Sequence, residues 1–201
     1  MAIHQQIKVL IVMKIILLSF SVILLSACNQ QTISYKEISQ RTFDSKKLVQ
    51  EFGKQLKGKL QTAIKEGGAI NAVSVCNEQA PVIAKQLSDQ SGWDIHRTSL
   101  KPRATKPDAW ETAIMQSFEQ KHADGDKFKR LFAQDVIEVH GKPAFRYMQA
   151  IETKKVCLLC HGETIEPELS SKIAELYPND MATAYKLGSI RGAFSIIQYL
   201  D

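Results

Sequence analysis

The sequence predicts an α+β domain, with helices packed on an antiparallel sheet around one core, and three observations predict it. Apolar residues recur every fourth position through Leu48, Phe52, Leu56, Leu60 and Ile64, the period of an amphipathic helix. Stretches at residues 93–99, 135–140, 144–151 and 192–200 carry the alternation of strands. The helical patterns come first, and no strand–helix–strand alternation of the kind a parallel sheet requires follows them. At 201 residues and 44% apolar composition, the chain has material for one such core.

Residues 1–27 stand apart from it. The apolar run from Ile15 to Leu25 follows Lys8 and Lys14 and is too short to span a bilayer, so it reads as an export signal. Met13-Lys14 begins a compact signal by itself, which marks Met13 as an alternative start. Leu25-Ser26-Ala27-Cys28 resembles the bacterial lipobox, in which cleavage precedes a cysteine whose thiol carries lipid. An uncleaved anchor and an ordinary signal are the competing readings. Asn29 is not a retention-type aspartate. By similarity to enteric lipoproteins, an exported, periplasmic chain anchored at Cys28 would face inward from the outer membrane, held stably by several acyl chains. Residues 28–43 are polar and read as the lipidated cysteine and its tether.

The folded domain is assigned to residues 44–201. Asp44 or Ser45 caps the first long helix and Gly67-Gly68 ends it. Residues 69–87 form a second, with Ala72, Val73, Cys76, Ala80 and Ile83 near one inward face and a kink or restart at Pro81. A strand at 93–99 leads into a Pro-bracketed loop at 101–107, and Asp108 caps a helix through Trp110, Ile114 and Phe118. A short helix at 127–132 precedes a hairpin with strands at 135–140 and 144–151, turning on Gly141-Lys142-Pro143. Residues 192–200 supply the last strand.

Charge excludes one function class. The formal net charge is +5, and removal of Lys8 and Lys14 with the signal leaves +3, which is no nucleic-acid signature. Of four cysteines, Cys28 is assigned to lipid, and the odd remainder does not form a simple disulfide framework.

Cys157-Leu158-Leu159-Cys160-His161 is the motif that carries chemistry. Its thiols can add across the two vinyl groups of a haem, and the next imidazole then falls beneath the iron as an axial ligand. The expected cofactor is therefore one covalent haem c, fitted by a haem c maturation machinery on the outer side of the inner membrane, where the signal sends the chain. A redox CxxC pair lacks the βαβ frame it needs, and a zinc site would have to borrow Cys76 and His140 from far along the chain. Spacing alone leaves the sixth iron ligand open among Met115, Met148, Met181, His96, His122, His140 and Cys76.

A resemblance narrows the choice. Val75-Cys76-Asn77 with Ala80-Pro81, Arg97-Thr98-Ser99-Leu100-Lys101-Pro102-Arg103, Pro107-Asp108-Ala109-Trp110-Glu111, Phe145-Arg146-Tyr147, residues 157–162 and Gly188-Ser189-Ile190-Arg191-Gly192-Ala193 occur in one order. Together they resemble a family of single-haem c-type proteins, described from cyanobacteria, with a PAS-like sensor fold; the likeness runs from about Leu48 to Tyr199. It implies a PAS-like antiparallel sheet flanked by helices, with long N-terminal helices. It also implies that Cys76 is the second axial ligand opposite His161. Ala104-Thr105 and Ser189 depart from the family pattern, where an asparagine-bearing segment and an aspartate are common. Arg97, Lys101, Arg103 and Arg191 are candidates to pair with haem propionates, because guanidinium forks suit carboxylates.

Thiolate ligation lowers a haem's potential and favours the ferric state. The expected function is redox or diatomic-gas sensing, with a signalling partner because no output domain follows. The competing expectation is a periplasmic electron-transfer cytochrome with a redox partner. A peroxidase-type enzyme ranks third, and the chain is expected not to be an enzyme.

Overall fold

The computed structural model describes residues 33–200; the signal, the alternative start and Cys28 lie outside them. Ser34 accepts a hydrogen bond from the Glu37 N–H and caps α1, Tyr35–Ser91. The helix thus begins nine residues before the capping position expected at Asp44, so part of the presumed tether is helical. Tertiary contacts override the polar composition there: Thr42 bonds Gln134, Ser45 accepts from Gln198, and Arg41 reaches both Glu37 and Gln198. Gly67 and Gly68 are the only non-helical residues inside α1, and they divide it as expected. Pro81 is absorbed without a restart, at the cost of the hydrogen bond that its missing N–H would give to the Asn77 carbonyl. None of the described helices is long and apolar enough to cross a membrane.

The sheet contains β1, Asp94–Thr98, β2, Phe132–Val139, β3, Lys142–Glu152, and β4, Ile190–Tyr199, all antiparallel in the order β1-β4-β3-β2. A 3-10 turn at Phe128–Arg130 replaces the short helix expected at 127–132, and Phe132 already belongs to β2. The hairpin turns on His140-Gly141, both at positive φ, rather than on Gly141-Lys142-Pro143. A two-residue turn of that hand matches the strand twist, and it leaves Lys142 and Pro143 in β3.

Alternation along the strands gives the sheet two faces. Beneath α1 lie Arg97, Tyr147, Phe194 and Ile196, with Phe52 against Phe194 at 5.4 Å between ring centroids. On the other face, Met148, Ala150 and Ala193 pack with Met115 and Phe118 of α2, Ala109–Ala123. Asp108 caps α2 and Glu111 completes a reciprocal capping box. Two short elements follow β3: a 3-10 turn at Lys155–Cys157 and α3, Leu158–His161. Next comes α4, Pro167–Leu176, an element that the sequence pattern above does not assign; it buries Leu169 and Ile173 against Val73 of α1. The architecture is α+β, with a long N-terminal helix, as expected.

Candidate functional site

The end of β3 is pinned before the cysteine motif begins. Thr153 is fully buried, its N–H donates to the Ser189 carbonyl at 2.8 Å, and its carbonyl accepts from the Gly188 N–H. The chain then turns through Cys157 to His161, which places both motif thiols and the imidazole on little more than one helical turn. Gly162 ends α3, and a Cβ there would lie 2.6 Å from the Leu158 carbonyl oxygen.

His161 is oriented by backbone. Its Nδ1–H donates to the Ala182 carbonyl at 2.7 Å, which leaves Nε2 as the acceptor nitrogen, and Arg191 Nη2 donates to it at 3.0 Å. Burial, followed by the Arg191 and Arg103 charges, pushes the imidazole down to about 2, so it is neutral, with the Nε2 lone pair accepting from Arg191. A second bond set of this kind is what a metal-ligating histidine requires.

A loop from Tyr177 to Ser189 supplies that orientation. Arg103 grips Asp180 with two hydrogen bonds, 3.0 and 2.8 Å, and also donates to the Cys160 carbonyl at 2.7 Å. Asp180 in turn accepts the Ala182 N–H, and the Tyr185 N–H donates to the His161 carbonyl. The Tyr185 hydroxyl meets Ser99, and its ring lies edge-on to His161. Arg103 thus holds the motif against the loop. Lys101, exposed at the margin, donates to the Thr183 carbonyl.

Cys76 reaches the site on the second segment of α1. Val73, Leu169 and Ile173 form a small core there, with Cys160, Ile165 and Tyr177 packed against it. Cys76, Cys157 and Cys160 are free thiols and half-buried. Burial pushes the Cys76 thiol up, while Arg97 and Arg103 act in the opposite direction. Arg97 projects from β1 towards the same place: burial pushes its guanidinium down, and Cys76, Cys157 and Tyr177 pull it back.

The other candidate sixth ligands are elsewhere. Met115 and Met148 belong to the core under α2, and His96 pairs with Glu111 on that face. His122 packs tilted against Phe128, and His140 is in the hairpin turn at the far end of β3. Met181 is on the loop beside His161 but is exposed. Among the described residues, no group of three His, Cys, Asp or Glu side chains is placed to hold a metal ion.

The residues present fit a haem. Arg97 Nε and Arg191 Nε are buried without a hydrogen-bond partner, and among the described residues neither side chain has a carboxylate partner. Two desolvated cations beside three free thiols and a neutral imidazole suit a group that brings iron, two vinyls and two carboxylates. Clefts of about 210 and 220 Å³ flank Tyr185 and Tyr177, and neither is lined by Cys76, Cys157 or Cys160. Sequence reasoning missed Asp180, Tyr185 and Ala182. Ala182 acts through its carbonyl, which no residue pattern discloses.

Residues 18–198 match the model of the Tll0287-like family. No curated protein matches the chain. Among solved structures, the cyanobacterial haem protein Tll0287 aligns with a TM-score of 0.59 at 20% identity, over 84% of this chain and 98% of its own, which shows a shared fold.

Proposed function

The chain belongs to the Tll0287-like family, and from that premise we propose that it is an exported, lipid-anchored protein with one covalent haem c. Cys157 and Cys160 would form the thioethers, and His161, with its Nε2 released by Arg191, and Cys76 would hold the iron. The observation that carries this reading is the neutral, carbonyl-locked His161 of the cysteine motif, with Cys76 half-buried on the α1 segment whose Val73 cluster packs against Cys160. That Tll0287, which shares the fold, is a haem protein supports it.

When bound, the iron supplies one-electron chemistry and, in its ferrous form, affinity for CO or NO. Arg97 and Arg191 balance the propionates. Arg103 acts at one remove, by fixing the loop whose Ala182 carbonyl sets the His161 tautomer. As a thiolate, Cys76 would favour the ferric state of such a group, and as a neutral thiol it would be free to withdraw. Its segment of α1 is suited to that movement, because the Gly67-Gly68 break lies on one side and Pro81 on the other.

Redox or gas sensing is therefore the leading function, with a partner protein receiving the signal. Electron transfer is the second reading, favoured by the exposed Leu159 within the motif, which leaves the attachment segment open to a partner. Peroxidase chemistry ranks below both, since His96 and His140 are not at the site. Titration of the ferrous protein with CO separates the first two. Stoichiometric binding at micromolar CO is expected; refusal of CO together with rapid oxidation by a small periplasmic cytochrome would make the chain a carrier.

A further inference from the structure

The first segment of α1 carries a feature that the haem site does not use. Thr42, Ser45, Val49, Phe52, Leu56 and Ala63 are its buried face. At 100° per residue, Lys36, Lys47, Lys54 and Lys65 fall within about 20° of one line on the opposite side. They are 11, 7 and 11 residues apart, all are exposed, and they form a row roughly 44 Å long. Gln40, Phe43, Gly58 and Gln61 fill the row between them, without an acid. Glu37, Asp44 and Glu51 lie to one flank and are engaged by Arg41, Gln40 and Gln55. None of the four lysines makes an ion pair among the described residues, and Lys47 sits over the half-exposed Phe43 ring.

We propose that this lysine row is a membrane-docking face, which lays α1 along a bilayer surface of anionic lipid headgroups. A straight, one-sided row of cations with an exposed aromatic suits a flat anionic sheet rather than a compact acidic protein patch. Chain length supports the same occupant. Cys28 and Tyr35 are seven residues apart, a reach of at most about 25 Å, so an acyl anchor at Cys28 holds the start of α1 near the headgroups. The inference rests on the lipid-anchor reading for that last argument alone.

The test uses the haem-loaded mature chain with Cys28→Ser, so that no acyl chain contributes, and vesicles of phosphatidylcholine with or without 30% phosphatidylglycerol. Each lysine near such a surface contributes roughly a fivefold factor. Binding only to the anionic vesicles, weakened by salt, is expected. A variant with Lys36, Lys47, Lys54 and Lys65 all changed to Gln should lose roughly 600-fold in affinity. The matched set Lys121, Lys127, Lys129 and Lys142→Gln, on other elements, should retain binding. No binding to anionic vesicles, equal binding to neutral ones, or equal loss in the two sets would overturn the proposal. Labelling of the wild-type chain with radioactive palmitate tests the Cys28 anchor separately, and its failure leaves the vesicle result standing.

Discussion

Glu111 is a buried carboxylate held ionised by its neighbours. Burial alone would raise its pKa, but the hydrogen bonds from His96 and the Asp108 N–H outweigh it and hold the group at about 2. Arg146 adds a bond at 3.1 Å. A depressed carboxylate contributes stability above its unfolded value of 4.5 and loses it as pH falls to about 2. About 3 kcal/mol is at stake over that window. In urea denaturation, the gap between wild type and Glu111→Gln is therefore expected to be wide at pH 6 and narrow at pH 3. Gly192 has φ +150°, and a Cβ there would lie 2.3 Å from the Thr98 carbonyl oxygen. Gly192→Ala should cost at least about 1–3 kcal/mol, read as a lower urea midpoint with unchanged slope. Cys157, Cys160 and His161 were legible as candidates because their chemistry depends on residue type, whereas Cys76 stood out only through the family resemblance. The hold of Arg103 on the loop was not legible, since nothing in Lys101-Pro102-Arg103 announces Asp180, 77 residues later.

At the scale of elements, the loop after α4 governs the imidazole. Asp180 joins Arg103, Cys160 and Ala182 in one buried network. Asp180→Ala leaves the Arg103 charge without its partner, and should cost about 3–5 kcal/mol. It should also broaden the His161 ring signals in NMR spectra of the diamagnetic ferrous–CO protein, because the Ala182 carbonyl is no longer fixed. The Gly67-Gly68 break and the Asp108 cap were legible, since glycines and capping residues act through their own backbone geometry. The start of α1 was not: its polar first turns are helical because Thr42 and Ser45 meet the sheet, a partner distant in sequence. The turn was misread by one residue because His140 adopts positive φ, a conformation that Gly141 alone led one to expect.

The whole molecule divides its labour between the two sheet faces. The α1 face carries Arg97 towards Cys76 and the cysteine motif, while the α2 face holds Met115, Phe118 and Met148 in a core remote from them. Phe118→Ala should therefore lower stability by about 3–5 kcal/mol, yet leave the haem absorption bands of the folded protein unmoved. Haem attachment by Cys157 and Cys160, with His161 and Cys76 on the iron, is the claim on which the rest depends. Absorption spectra of protein matured with a haem c assembly system, ferric and reduced, before and after denaturing solvent extraction, test it in wild type and Cys76→Ala. Haem that stays with the denatured chain, and a ferric spectrum that loses its thiolate bands in Cys76→Ala, is the predicted result. Haem that extracts freely would contradict the attachment, and an unchanged Cys76→Ala spectrum would contradict the ligation.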